Sequence, residues 1–212
     1  MRGRFIVLEG LDGSGISTQA RRLAGRLDRL GVPYFCTREP TDGPVGSMVR
    51  LALTGRLQVD PTTLALMYAA DRSDHVHGVV RPRLEKGIHV VSERHVLSSL
   101  AYQGGQLGDL DWVRAINRES MRAVTPDLTV FLDLAPEAAL GRIDAARPGR
   151  ELFESPDRLA ATRVAFQRAI AELRAGGARV EVVDAAGSID AVEQQIADLV
   201  SGVLPAGKAP EG

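Results

Sequence analysis

Five short apolar runs recur along the chain, at residues 5–9, 32–37, 88–92, 128–133 and 179–184. Most are nearly continuous rather than alternating, as in Leu128-Thr129-Val130-Phe131-Leu132. Runs of this kind predict strands covered on both faces. Between them, apolar residues return at helical spacing. Ala20, Leu23, Ala24, Leu27 and Leu30 follow the first run. Pro61 opens a helix reaching His77, since proline suits the first helical position. Asp109 caps a helix over 110–124, and Pro136 opens a short one. Ser155-Pro156 starts a helix that Gly176-Gly177 stops after Ala175, and a last helix spans 188–203. The stretch 37–44, with Pro40, Gly43 and Pro44, reads as a polar turn. Strands alternating with helices predict an α/β fold, a five-stranded parallel sheet with helices on both faces. Ligands then belong at the carboxyl ends of the strands.

Composition changes this picture little. The 212 residues suit a single domain, here 1–204, followed by a flexible tail over 205–212. Hydrophobic residues make up 44% and the formal net charge is −1, so neither nucleic acid nor an anionic membrane is implied as partner. No apolar run approaches a membrane span, and Met1-Arg2-Gly3-Arg4 carries no signal-peptide pattern, so a cytoplasmic location is expected. The single cysteine, Cys36, rules out an internal disulfide and reads as a small buried apolar residue. His75 and His77 stand two apart on a helix, share no face, and read as surface residues rather than a metal site.

Chemistry enters with the segment between the first strand and the first helix, Gly10-Leu11-Asp12-Gly13-Ser14-Gly15-Ile16-Ser17-Thr18. Strand, glycine-rich turn and helix form the context of a phosphate-binding P-loop, making the fold P-loop NTPase-like. Its glycines let backbone N–H groups converge, and the helix adds its positive end. Ser17 stands where the motif's hydroxyl ligates Mg²⁺, but Ile16 stands where the motif has lysine. Losing a comparable electrostatic donor costs on the order of 3–4 kcal/mol of transition-state stabilisation. The backbone cradle itself does not need that side chain.

Further motifs follow in order: Thr37-Arg38-Glu39-Pro40, Ala69-Ala70-Asp71-Arg72, Glu93-Arg94-His95 and Ser98-Ser99-Leu100-Ala101-Tyr102-Gln103-Gly104. Together with the P-loop they resemble the thymidylate kinase family of nucleoside monophosphate kinases over about residues 4 to 200. The resemblance implies Mg²⁺-dependent transfer of the γ-phosphoryl group of ATP to dTMP, and a homodimer. It implies that residues 10–18 and Arg142, an arginine packing on adenine, bind ATP. It implies an acceptor site of Asp12, Arg38, Tyr68, Arg72, Arg94, Ser99, Tyr102 and Gln103. Arg38 and Arg94 would contact the acceptor phosphate, where guanidinium forks suit oxyanions. Tyr68 would stack on the base, and Arg72 would hydrogen-bond it. Ser17 and Glu93 would hold the metal. Glu93 and Arg94 would join Arg147 and Arg150, in a lid over about 145–154, as catalytic residues.

Two departures from the family pattern stand out. Ile16 replaces the lysine, and Glu93-Arg94-His95 replaces the usual Asp-Arg-Tyr; glutamate still offers oxygens to a hard cation. Ile16 alone would suit a catalytically silent nucleotide-binding homologue. Tyr68 and His95 would suit a kinase for another deoxynucleoside monophosphate. The joint presence of Arg38, Arg72, Arg94, Tyr102 and Gln103 speaks against silence.

Overall fold

A computed structural model describes residues 1–146, 152–153 and 155–204. The strands are β1 (Phe5–Gly10), β2 (Tyr34–Arg38), β3 (His89–Glu93), β4 (Leu128–Asp133) and β5 (Val180–Asp184). They form one sheet in the order β2-β3-β1-β4-β5, every neighbouring pair parallel. The five predicted runs thus form the sheet, with ends shifted by at most two residues.

β1 is central and buried along its whole length. Its side chains alternate between the two faces. Ile6 and Leu8 join Leu23, Leu27 and Ile196 on the face covered by α1 (Ile16–Arg29) and α10 (Ile189–Ser201). Phe5 and Val7 join Val76, Val80 and Leu84 on the other. That second face also carries α5 (Val96–Leu107) and α9 (Pro156–Ala175), which pack on each other through Leu97, Leu100 and Phe166. By the same alternation Glu9 points toward α5, where it meets the backbone N–H groups of His95 and Ser98.

Several helices differ from the sequence reading. The predicted turn over 37–44 runs straight into α2 (Pro44–Leu53), because Pro44 occupies the first helical position. α5 runs unbroken through Gly104-Gly105. Gly104 lets α6 approach closely: a Cβ there would stand 2.9 Å from Leu110 Cδ1, which would have to shift. The helix from Pro61 proceeds as α3 (Pro61–His75), a π-helical turn over Val76–Val80 and α4 (Arg81–Glu85). Pro82 offers no N–H to an α-turn, and the widened turn lies just before it. The predicted helix over 110–124 divides at Asn117 into α6 (Leu110–Ile116) and α7 (Arg118–Ala123). α8 (Pro136–Ala146) follows β4.

Two single-residue expectations are corrected. Cys36 is exposed, because β2 is an edge strand. His75 is buried rather than on the surface, accepting or donating at both ring nitrogens, whereas His77 is exposed as expected. The tail over 205–212 and most of the predicted lid lie outside the described residues.

Candidate active site

The P-loop leaves the carboxyl end of β1, between β3 and β4, where the strand order reverses. Gly13 adopts φ 80° and approaches α8 so closely that a Cβ would lie 2.4 Å from the Ala139 carbonyl oxygen. Gly15 adopts φ 98° and caps α1. Both positions need glycine, the second for conformation alone. Around the loop lies a cavity of about 720 Å³ lined by Leu11 to Gln19 and by Glu93, Arg94 and Arg142. Ala185, Ser188 and Ile189 close its far end, where Arg142 donates to the Ala185 carbonyl at 3.0 Å. Ser14 Oγ is buried in the loop without a hydrogen-bond partner among the described residues, a polar atom left for a ligand. Ser17 Oγ donates to Glu93 Oε2, so two hard oxygen donors meet at the cavity wall.

A second cavity, of about 390 Å³, opens beside the first. Asp12, Ser17, Glu93 and Arg94 line both. Arg94 is therefore the hinge of the site. It is the described chain's one non-glycine residue with positive φ, at 70°. Its guanidinium donates to the Gly10 carbonyl at 2.9 Å, to Ser98 Oγ at 3.0 Å and to Asp12 Oδ1 at 2.6 Å, and it sits 5.4 Å from the Tyr102 ring centre. Burial works against its charge, but the fields of Tyr102, Asp12 and Glu9 outweigh this and raise its pKa further. Tyr102 donates to Asp12 Oδ2 at 3.0 Å, and burial together with Asp12 pushes its hydroxyl well above 10.

The far end of the second cavity holds Tyr68, Arg72 and Gln103. Arg72 is fully buried, not a surface ion pair. Its Nε donates to Glu39 Oε2 at 2.8 Å, its Nη1 to Ser99 Oγ and Asn117 Oδ1, and its Nη2 to the His95 carbonyl. Glu39 Oε1 meanwhile faces His75 Nδ1 at 3.0 Å and His95 Nδ1 at 2.9 Å. Burial alone would raise Glu39, but Arg72, His95 and His75 more than offset it and hold the carboxyl well below 4.5. Burial lowers the pKa of His95, against the pull of Glu39. Gln103 Oε1 is buried without a partner among the described residues.

The structure thus brings together Asp12, Ser17, Arg38, Tyr68, Arg72, Glu93, Arg94, Tyr102 and Gln103 around one cavity. Ser99 is not at its wall; it lies behind Arg72, and Ser98 lines the cavity instead. Arg147 and Arg150 fall outside the described residues. Arg50, on the unpredicted α2, also lines the cavity and donates to the Pro40 carbonyl at 3.1 Å. Asn117 was missed because a lone asparagine within a helical pattern carries no sequence signal of its partner. Among the described residues no three histidine, cysteine or acidic side chains form a metal cluster. No helix among them is long and apolar enough to cross a membrane.

A glycine-rich P-loop turn opening at a shared wall onto a polar, arginine-lined cavity is the arrangement expected of a nucleoside monophosphate kinase. A family model for thymidylate kinase matches residues 8–196. The chain is 40% identical to a thymidylate kinase of Symbiobacterium thermophilum over 214 residues, covering 95% of this chain and 94% of that one. It is 39% identical to a thymidylate kinase of Clavibacter michiganensis, covering 98% and 99%. With a probable thymidylate kinase of Thermococcus gammatolerans the identity is 36%, over 93% and 96%. The chain belongs to the thymidylate kinase family.

Proposed function

We propose that the chain transfers the γ-phosphoryl group of ATP to dTMP, giving dTDP, with the P-loop cavity as donor site and the adjoining cavity as acceptor site. The observation that carries this reading is the shared wall. Asp12, Ser17, Glu93 and Arg94 border both cavities, so groups bound in the two would face each other across these four residues. In-line transfer needs positioning and charge neutralisation rather than a covalent intermediate.

On this reading the backbone of residues 10–18 cradles the ATP phosphates, and Arg142 lies against adenine. Ser17 and Glu93 would hold Mg²⁺, whose chemistry is to neutralise phosphate charge; their paired oxygens fit a hard cation. Arg94, with Arg38, fixes the acceptor phosphate. Tyr68, Arg72 and Gln103 Oε1, which has no partner among the described residues, face the base, while Asp12 and Tyr102 face the sugar. Ile16 is buried in the apolar cluster under α1 and supplies no charge. The chain's lysines are Lys86 and Lys208. Lys86 lies between α4 and β3, at the amino ends of the strands and opposite the P-loop, and Lys208 lies outside the described residues. We therefore assign the missing charge to arginine: to Arg94 at the shared wall, and to Arg147 or Arg150 closing over it. A homodimer is part of the same proposal, supported by exposed Met48 and Leu51 on α2 beside exposed Leu66 on α3.

A coupled assay of ADP release from Mg·ATP, with dTMP, dUMP, dCMP and dGMP as acceptors, tests the reading. Turnover with dTMP well above the other three is expected. Preference for another acceptor would replace dTMP in the assignment, and no turnover with any would refute the kinase reading.

A further inference from the structure

Glu9 is an ionisable residue on the central strand, with no exposed surface, and it lines neither the donor nor the acceptor cavity. Burying a carboxylate inside a sheet is costly unless something there requires it. Its contacts all lead to one place. Oε1 accepts from the His95 backbone N–H at 2.8 Å and from the Ser98 N–H at 3.2 Å. Oε2 accepts from the Ser98 hydroxyl at 2.5 Å. The same Ser98 oxygen accepts from Arg94 Nη1 at 3.0 Å.

We infer that Glu9 is the positioning residue for Arg94, setting both its backbone and its guanidinium. The backbone of residue 94 is left-handed, a conformation that persists for a side-chain-bearing residue only when its surroundings impose it. Here the Arg94 N–H is tied to the Leu8 carbonyl at 2.8 Å and the next N–H, of His95, to the Glu9 carboxylate. Two successive residues of β1 thus grip two successive amides on either side of the strained residue. From the other side, Glu9 orients the Ser98 hydroxyl so that its lone pairs face Arg94. A neutral amide cannot reproduce this, because its N–H₂ donates to Ser98 and turns the hydroxyl around. Glu9 touches no substrate on this account and acts through Arg94 and Ser98. The inference rests on the reading that Arg94 holds the acceptor phosphate.

Glu9→Gln, Ser98→Ala, the double variant and Arg94→Ala test it by steady-state kinetics, with dTMP and ATP varied separately. Glu9→Gln is expected to lower kcat/KM for dTMP about 10²-fold, the scale of an ångström-sized misplacement, with KM for ATP unchanged. Ser98→Ala should show the same split more weakly, and it carries the test if Glu9→Gln does not fold. The double variant should be no worse than Glu9→Gln alone. A rise in KM for ATP as large as that for dTMP, or multiplied losses in the double variant, would overturn the inference. Arg94→Ala separates the two levels. If it raises KM for dTMP while a folded Glu9→Gln behaves as wild type, the role of Glu9 falls alone. If it leaves KM for dTMP unchanged, the reading of Arg94 falls and takes the inference with it.

Discussion

Glu9 and Glu39 are both buried carboxylates beside the same cavity, yet their surroundings drive them in opposite directions. Glu39 meets a guanidinium directly, receives two imidazoles on its other oxygen, and is held well below the usual carboxylate range. Glu9 meets two backbone amides and a hydroxyl but no cation in contact, and burial pushes it up to about 7, against the more distant pull of Arg94. The first cluster is closed: Arg72 and Glu39 neutralise each other and the fold benefits. The second is left open because its cation is turned toward Asp12 at the wall between the two cavities. A buried charge that is paired holds the cavity wall around Arg72 in shape; one left without a direct partner is retained, on the proposed reading, for what it does to Arg94.

The largest effect expected is on the closed cluster. Glu39→Ala strands the Arg72 guanidinium in the interior and should cost about 3–5 kcal/mol in urea unfolding. A loss below about 1 kcal/mol would remove the distinction between the two clusters. The open cluster should respond with the opposite sign. Glu9→Gln at pH 8 should stabilise the fold by up to roughly 3 kcal/mol, the linkage value of its raised pKa, while impairing turnover. A destabilised Glu9→Gln would mean that Glu9 serves the fold as Glu39 does.

How much of this was legible beforehand follows the range of each interaction. Strands such as 128–133 were readable because two-sided burial leaves a continuous apolar run, and the P-loop because its glycines sit between strand and helix. Arg72 and Arg94 were found through the motifs that carry them. What remained hidden depends on tertiary neighbours. His75 read as a surface residue because nothing local announces Glu39, 36 positions away. Asn117, 45 positions from Arg72, was equally silent, and Arg50 was lost with α2, whose opening proline also reads as a turn. Cys36 read as buried because sequence does not tell an edge strand from a central one. Glu9 sat inside an apolar run and passed as part of the strand.

Smaller effects sharpen the same contrast. The Glu9 carboxyl holds its proton more tightly folded than unfolded, so its contribution is most favourable below pH 4.5 and is lost as pH rises through about 7. Glu39 behaves inversely: its contribution is present above its unfolded value of 4.5 and is lost as pH falls through its depressed folded value. The difference in melting temperature between wild type and Glu9→Gln should therefore grow from pH 5 to pH 7.5; a difference independent of pH would contradict it. Least of all, Asn117→Ala removes one acceptor from Arg72. It should cost about 1–2 kcal/mol of stability and raise KM for dTMP a few-fold with KM for ATP unchanged. An effect on ATP instead would place Arg72 outside the acceptor site.

On the proposed mechanism arginine carries the charge that Ile16 does not, with Arg94 at the wall between the two cavities. Single-turnover transfer from Mg·ATP to dTMP, measured side by side in wild type and Ile16→Lys, addresses it most directly. Substantial transfer by the wild type and little gain from the added lysine are expected on this assignment. A wild type without transfer, restored by Ile16→Lys, would contradict it and leave a nucleotide-binding site whose chemistry has been switched off.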